Sequence, residues 1–512
     1  MVSLDLSNFA TNKVQSMKSM FESCLKLRNL KFNFDFSSVV DTSFMFMEMR
    51  VLASIDLSKF VAPNLQNMQN MFQGMSIIKE INLESLNPSN LKYIDHAFDS
   101  CISLTSLNFP NLKTDSVVDM SYTFSDCSQL RSLDISNFRT TQVENMAFMF
   151  SGCMLLSSLN IKNFRTGEVK NMEGIFKDLS TVTELDVSQF DTSKVTNMIE
   201  MFSGDISVKS LAVGGFDTRN CRDMWGMFKS CSSIQSLSFG VNFQTDKVED
   251  MAFMFDNCAA LTSLDVSHFK TGKVENMQSM FDNLANIEVI NVADFDTSTV
   301  TMMDRMFYNC HSLKSLSVGR FNTSRVENME NMFYLVSQVE SIDVSKFDTS
   351  KVTDMSYMFQ NCEKVKELDV SKFVTDKVVS FDLMFADCAS LTSLNLQSFK
   401  TGVATHMFGM FNGLTGVKSL NLGGFDTRNV VDMGYMFNNC KSLTTIIGLS
   451  EFDVSQVTDM QSMFSQCEAI TNLNLPNFKG ESLRTAEDMF SHCKKLETIN
   501  LENLVGEDCT NS

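Results

Sequence analysis

Apolar residues recur along this chain with a fixed period, and their places within the period are as regular as the period itself. The phenylalanine of a repeated Met-Phe pair marks it: Phe124, Phe150, Phe176, Phe202 and Phe228 lie 26 residues apart. The series runs back through Phe98, Phe72, Phe46 and Phe21 and on through Phe255, Phe281, Phe307, Phe333, Phe359, Phe385, Phe411, Phe437, Phe464 and Phe490. Three steps depart from the period, each by a single residue, and no linker or compositional break interrupts it. Within the unit 127–152, Leu130, Leu133 and Ile135 end in period-two alternation, which predicts a short strand at Leu133–Ile135. The same strand is expected at 185–187, 264–266, 342–344 and 394–396. Val143, Met146, Met149, Phe150 and Cys153 follow at spacings of three, three, one and three, which predicts one face of a short helix. Three residues after the strand-end phenylalanine stand Asn12, Thr141, Ser193, Asp246, Ser298, Ser324, Ser350, Asp376 and Ser455, the residue types that cap helix N-termini. Thr141 with Glu144, Asp246 with Glu249 and Ser324 with Glu327 fit capping boxes.

One unit of strand, turn and capped helix cannot bury its apolar side alone, so stacking must supply the core. The expected fold is therefore an α/β repeat solenoid of about 19–20 coils of 26 residues. It is leucine-rich-repeat-like, with a parallel β-sheet on one face and short helices on the other. Residues 1–512 are expected to form one continuous solenoid. Neither end shows a distinct cap: the chain opens in the strand at Leu4-Asp5-Leu6 and closes just past Ile499-Asn500-Leu501. Two readings of this stand, a fragment of something larger or open ends that stack on other copies. A head-to-tail contact that does not close builds a filament.

The consensus C-x-x-L-x-x-L-D-L-S-x-F-D-T-S-x-V-x-x-M-x-x-M-F, with local examples at 185–195 and 352–359, resembles the BspA-like leucine-rich-repeat surface proteins. The resemblance covers essentially the whole chain. It implies a right-handed solenoid with a cell-surface or extracellular role in adhesion or partner binding, and it brings no catalytic residue to transfer. The N-terminus, Met1-Val2-Ser3-Leu4-Asp5-Leu6, has neither the basic region nor the apolar core of a signal peptide. A lipid-modified N-terminal Cys and a cell-wall anchor are likewise not expected from these residues. A cytoplasmic location is the expectation if the chain is complete.

Composition narrows the function. A hydrophobic content of 44% offers enough apolar surface to offset chain ordering, which excludes a mainly disordered polymer. A formal net charge of -19 argues against nucleic acid or an anionic membrane as partner, since both select a basic face. No stretch approaches the ~20 apolar residues of a membrane span.

Candidate chemistry is sparse. Twelve of the fourteen cysteines share one slot three residues after the Phe, and other units fill that slot with Met49, Met75, Leu179, Leu284, Val336 or Leu414. A slot shared with leucine and valine reads as core, so reduced, structural cysteine is expected, with no disulfide ladder, zinc site or redox motif. The periodic methionines at one and four residues before the Phe read as core too. Five scattered histidines, His96, His268, His311, His406 and His492, form no catalytic motif, and neither an enzyme nor a cofactor is expected. Asp205 occupies the cysteine slot of the weakest unit, where local irregularity is expected to expose it. Asn322-Thr323-Ser324 is a glycosylation sequon, and Cys509-Thr510-Asn511-Ser512 is a poor match to a prenylation box.

The binding candidate is the strand face. One outward side chain per coil forms a column that includes Asp134, Asn160, Asp186, Asp265, Asn291, Asp343, Asp369, Asn395 and Asn421, flanked by a serine column including Ser132, Ser158, Ser236 and Ser315. Such a lattice could engage a protein or glycan ligand or several calcium ions, or serve only as a solubilising face. A second candidate lies on the helical side: Trp225 and Phe408 in a usually polar slot, and Phe44, Tyr122, Phe148, Phe253, Tyr357 and Tyr435 one step further along. An exposed aromatic strip there would be a partner site, whereas packing between neighbouring coils is the simpler reading.

Overall fold

The protein was analysed as a computed structural model that describes residues 2–500. Cys509 and its neighbours lie outside the described residues. The chain divides into two compact units, Met1–Val248 with Asn257–Leu261, and Glu249–Asp256 with Thr262–Ser512. Each is a stack of coils of about 26 residues, carrying Phe21 to Phe228 in the first unit and Phe255 to Phe490 in the second.

The predicted helices are absent. Among the described residues there is no α-helix, and the one helical element is a 3-10 turn at Leu449–Glu451. The backbone bonds of the segment 120–127 show what replaces the helix. The amides of Met120, Tyr122, Phe124 and Asp126 donate to carbonyls of the next coil, those of Asn145, Ala147, Met149 and Ser151, at 2.7–3.0 Å. The alternate amides close tight turns inside the coil: Thr123 to Met120, Ser125 to Tyr122 and Cys127 to Phe124, at 3.1–3.3 Å. Every second residue is thus held by its neighbour coil, and a helical ladder would take those same amides away from the stack. The turns require a left-handed residue every fourth position, and Tyr122 and Asp126 both sit at φ 54°. Val143, Met146, Met149, Phe150 and Cys153 are all fully buried, so the apolar spacing marked the inward face correctly although the backbone is not helical.

The expected caps also do other work. Ser193, Ser298, Ser350 and Ser455 donate their amides to the carboxylates of Asp191, Asp296, Asp348 and Asp453, two residues back, at 2.9–3.0 Å. The buried residue just before the expected cap is the structural one. Thr140 Oγ1 donates to the Arg165 carbonyl one coil on at 2.9 Å and accepts the Arg165 amide at 2.6 Å. Thr114, Thr297, Thr349 and Thr375 repeat this double bond. A buried backbone N–H and C=O are satisfied together by one hydroxyl.

The strand face is thinner than predicted. Parallel pairs form at β1 (Ser3–Leu6) with β2 (Asn29–Phe32), β3 (Glu80–Asn82) with β4 (Ser106–Asn108), and β5 (Ser210–Leu211) with β6 (Ser236–Leu237) in the first unit. The second unit pairs β7 (Val289–Ile290) with β8 (Ser315–Leu316), β9 (Ser419–Asn421) with β10 (Thr445–Ile447), and β11 (Asn472–Asn474) with β12 (Thr498–Asn500). The expected strands at 133–135, 185–187, 264–266, 342–344 and 394–396 do not form. The more continuous ladder lies just before the turn segment. Single parallel bridges run coil by coil from Ser16 to Asp223 in the first unit and from Asp250 to Thr485 in the second.

Inside each unit the marker phenylalanines form one stack. Phe98, Phe124, Phe150 and Phe176 lie with centroids 5.7–6.2 Å apart and planes within 9° of parallel. Phe359, Phe385 and Phe411 repeat this at 5.9–6.1 Å and within 7°. Coil spacing fixes the ring separation, so burial rather than an optimal aromatic geometry drives the column.

Candidate binding face

The strand column is where the sequence placed it, but each of its side chains also has a local task. The amides of Ser136, Ser188 and Ser267 donate to Asp134, Asp186 and Asp265, at 3.0–3.1 Å. Those of Ser345 and Ser371 donate to Asp343 and Asp369 at the same range, 3.0–3.1 Å. Asn160, Asn291, Asn395 and Asn421 accept the corresponding amide at 3.1–3.4 Å. The column therefore turns the chain out of the strand in every one of these coils. Hydrogen bonds from the serine hydroxyl and amide hold all five carboxyls below the usual carboxylate range. They stay ionised and exposed, and among the nine residues only Asn421 is partly covered.

In the first unit this face holds a shallow groove of about 460 Å³, lined by Ser157, Ser158, Asn160, Lys162, Thr183, Glu184 and Asp186. In the second unit its flank carries inter-coil ion pairs, Lys314 with Glu288 and Lys366 with Glu340, both at 2.7 Å. These pairs are exposed and contribute little to stability. The Asp and Asn column itself is interrupted by Ala212 and Ser238 in the first unit and by Ser317 in the second.

The aromatic column on the opposite face is half-buried throughout: Phe44, Tyr122, Phe148, Trp225, Phe253, Tyr357, Phe408 and Tyr435. Its rings lie along the stack. Tyr122 stacks on His96 at 4.4 Å and on Phe148 at 4.8 Å. The Phe148 ring then covers Gly174, where an added Cβ would come within 2.5 Å of it at a φ of 52°. Phe408 and Tyr435 tilt together at 5.4 Å, the Lys18 ammonium lies 5.5 Å from the Phe44 ring, and the Lys229 ammonium lies 5.1 Å from the Trp225 ring. Contacts between neighbouring coils thus engage Tyr122, Phe148, Phe408 and Tyr435. Six of these residues, Phe44, Tyr122, Phe148, Phe253, Tyr357 and Tyr435, sit at φ 54–60°, a conformation that bulky side chains rarely take. The same conformation recurs at Ser19, Asn70, Glu200 and Ser279, so it belongs to the tandem turn rather than to the aromatic side chains.

Asp205 is a correction. It was expected to be exposed by local irregularity, yet it is fully buried in the cysteine column. Its Oδ1 accepts the Leu179 amide at 3.0 Å, and its Oδ2 has no partner. Burial pushes its carboxyl well above the usual range. The backbone ladder just before it is intact: Phe202 and Gly204 donate to Met227 and Lys229 at 2.9 and 2.8 Å.

The described cysteines are free thiols, and those of the main slot from Cys101 to Cys467 are buried. Cys101, Cys153 and Cys362 point back one coil and donate to the carbonyls of Phe72, Phe124 and Phe333 at 3.2 Å. Burial pushes these three thiols up to about 12, which leaves no thiolate to react at neutral pH. Among the described residues no group of three His, Cys, Asp or Glu is placed to hold a metal ion. No described helix is long and apolar enough to cross a membrane.

Sequence reasoning missed a polar cluster on the turn face of the second unit. Arg305 pairs with Asp282 at 2.9 Å and lies 3.8 Å from the centroid of the Tyr308 ring, which stacks on Tyr334 at 4.6 Å. Burial outweighs the ion pair and raises the Asp282 carboxyl to about 6. The Arg-x-x-Tyr spacing within a turn segment was the only signal of it.

Stacked coils, a buried phenylalanine column and an exposed polar strand face define a leucine-rich-repeat-like β-solenoid. The chain belongs to the family described as Mycoplasma protein of unknown function, DUF285, which matches residues 1–106, 66–183, 156–239, 236–342, 314–420 and 405–511. Among curated proteins none matches the sequence. Similar solved structures include a leucine-rich repeat protein from Bacteroides ovatus, at 18% identity over 84% of this chain and 86% of that one, with a TM-score of 0.35. A leucine-rich repeat protein from Eubacterium ventriosum matches at 14% identity over 65% of this chain and 86% of that one, TM-score 0.28. A leucine rich cell surface protein from Faecalibacterium prausnitzii matches at 17% identity over 75% and 78%, TM-score 0.24.

Proposed function

We propose that this protein is a non-enzymatic binding module that presents its strand face to a protein or glycan partner at a cell surface. The observation that carries the reading is the column of exposed, ionised carboxylates and amides from Asp134 to Asp186 and from Asp265 to Asn421, each oriented by its own turn. A preoriented group loses little freedom on binding, and a repeated one engages a repetitive or extended ligand at many points. The acidic column selects basic or hydroxyl-rich partners and disfavours nucleic acid. The cell-surface setting and the adhesive role rest on the resemblance of the repeat to BspA-like proteins.

The test is binding of the whole chain to immobilised glycans and extracellular host proteins, beside two double variants, D134K/D186K and D343K/D369K. Loss of a signal in either variant, with unchanged thermal unfolding, supports the reading. Signals that persist in both variants, or that vanish only when turn-face residues change, contradict it.

A further inference from the structure

In the first unit the strand-face groove of about 460 Å³ is bounded by two departures from the repeat. Lys162 stands where Ser136, Ser188, Ser267, Ser345 and Ser371 occupy other coils, and no other coil carries a lysine in that slot. Glu184, in the next coil, stands where Ser132, Ser158, Ser210 and Ser236 are usual. Outward and inward positions alternate through both segments. Ser158, Asn160 and Lys162 are exposed while Leu159 and Ile161 are buried, and Glu184, Asp186 and Ser188 are exposed while Leu185 and Val187 are buried. Asn160 and Asp186 thus share the middle slot of adjacent coils, with the two long charged side chains at opposite corners.

The hydrogen-bonding capacity of the middle pair is only half used. Asn160 spends Oδ1 on the Lys162 amide at 3.4 Å, and Asp186 spends Oδ1 on the amide and hydroxyl of Ser188 at 3.1 and 2.6 Å. Elsewhere in this column asparagines bond one another: Asn108 Nδ2 donates to Asn82 at 3.1 Å, and Asn500 Nδ2 donates to Asn474 at 2.8 Å. Among the described residues Asn160 Nδ2 donates to no protein group, and Asp186 Oδ2 accepts from none.

The groove therefore offers an amide donor beside a carboxylate acceptor, both exposed, with the Ser158 and Thr183 hydroxyls next to them. A hydroxyl both donates and accepts, so two hydroxyls on adjacent carbons satisfy such a pair together. The Lys162 ammonium disfavours a cationic ligand, and the carboxylates of Glu184 and Asp186 disfavour an anionic one. The lining holds no aromatic ring, so hydrogen bonding rather than stacking carries recognition.

We propose that this groove binds an uncharged pyranose of a glycan through a vicinal pair of hydroxyls, with Asn160 donating to one and Asp186 accepting from the other. The inference rests on the strand-face reading and narrows its partner, at this groove, to a neutral carbohydrate.

The probes are the methyl glycosides of glucose, galactose and mannose, each titrated against the whole chain by saturation-transfer NMR. Glucuronate and acetyl-lysine amide are the charged comparators. Saturable binding of at least one glycoside is expected at a Kd on the order of 1 mM, the scale open to so small a ligand. Each variant installs a residue that other coils carry in the same slot, and unchanged thermal unfolding reports that the fold is kept. Asn160→Asp keeps the turn acceptor and removes the donor, whereas Asp186→Asn keeps the turn acceptor and removes the anion. Either should weaken the glycoside about 5-fold or more. K162S/E184S removes the corners and should weaken it about 3-fold or more. That double variant leaves the Asp and Asn column in place, so glycoside binding unchanged by it overturns the groove while the strand-face reading stands. No saturable binding by any glycoside, binding undiminished in Asn160→Asp and Asp186→Asn, or tighter binding of either charged comparator also overturns the proposal.

Discussion

The segment from Met120 to Cys127 and the segment from Leu130 to Ile135 belong to neighbouring coils of one unit, yet they hold the stack in different ways. In the first, alternate amides bond across to the next coil and the rest close turns within their own, so its backbone is used almost completely. In the second, the side chains bury well while regular pairing lapses: Leu133 and Ile135 are buried, but 133–135 form no strand. The turn face carries the order of the stack, whereas the strand face carries a mostly polar surface on a lighter backbone. A face whose side chains need only turn the chain can vary or bind without loosening the core. This difference is what makes the strand face the candidate for function.

Substitutions on the two faces should separate them. Phe150→Ala in the aromatic stack should cost about 3–5 kcal/mol, read as a fall in the urea midpoint of the first unit. Thr140→Val leaves the Arg165 amide and carbonyl without their shared hydroxyl and should cost about 1–3 kcal/mol. Asp205→Cys restores the column residue and removes an unpartnered buried acid, so the midpoint should rise by about 1–2 kcal/mol. A fall in that variant would show that the acid is needed where it stands. Asp134→Ala, on the strand face, should cost less than about 1 kcal/mol.

The pH dependence sharpens the same contrast. The Asp282 carboxyl, at about 6 in the folded protein, keeps its proton where the unfolded chain has lost it. Its stabilising contribution is therefore fullest below the ordinary carboxyl range and is lost as pH rises from about 4 to about 6. Wild type should lose on the order of 1–2 kcal/mol more than Asp282→Asn across that window, partial exposure considered. The strand-face carboxyls have the opposite sign. Asp343 and Asp369 are held below the usual range, so what they contribute is present above it and is lost as pH falls further.

Much of this was legible in the residues. The Phe period gave the coils, the Leu and Ile slots gave the inward side of the strand face, and the shared cysteine, leucine and valine slot gave the buried thiols. The helix was misread because spacings of three, three, one and three place Val143 to Cys153 inward on a helix and on tandem turns alike. The signal that separates the two sits one residue before the cysteine slot. Gly152, Gly204, Gly413, Asn361 and Asn439 stand there, residue types suited to positive φ, and all five adopt φ 60–79°. A helix uses such residues at its C-terminal end, whereas here they fall inside the apolar spacing, one residue before its last member. Asp205 was misplaced for a related reason: a buried acid is costly, but here one oxygen takes a backbone amide and the ladder around it holds the coil in place.

Amide hydrogen exchange across one coil tests the division between the faces most directly. The account predicts that Met120, Tyr122, Phe124 and Asp126 exchange several orders of magnitude more slowly than the amides of 132–135. Equal protection along the coil, or slower exchange at 132–135, would mean that the strand carries the stack and would contradict it.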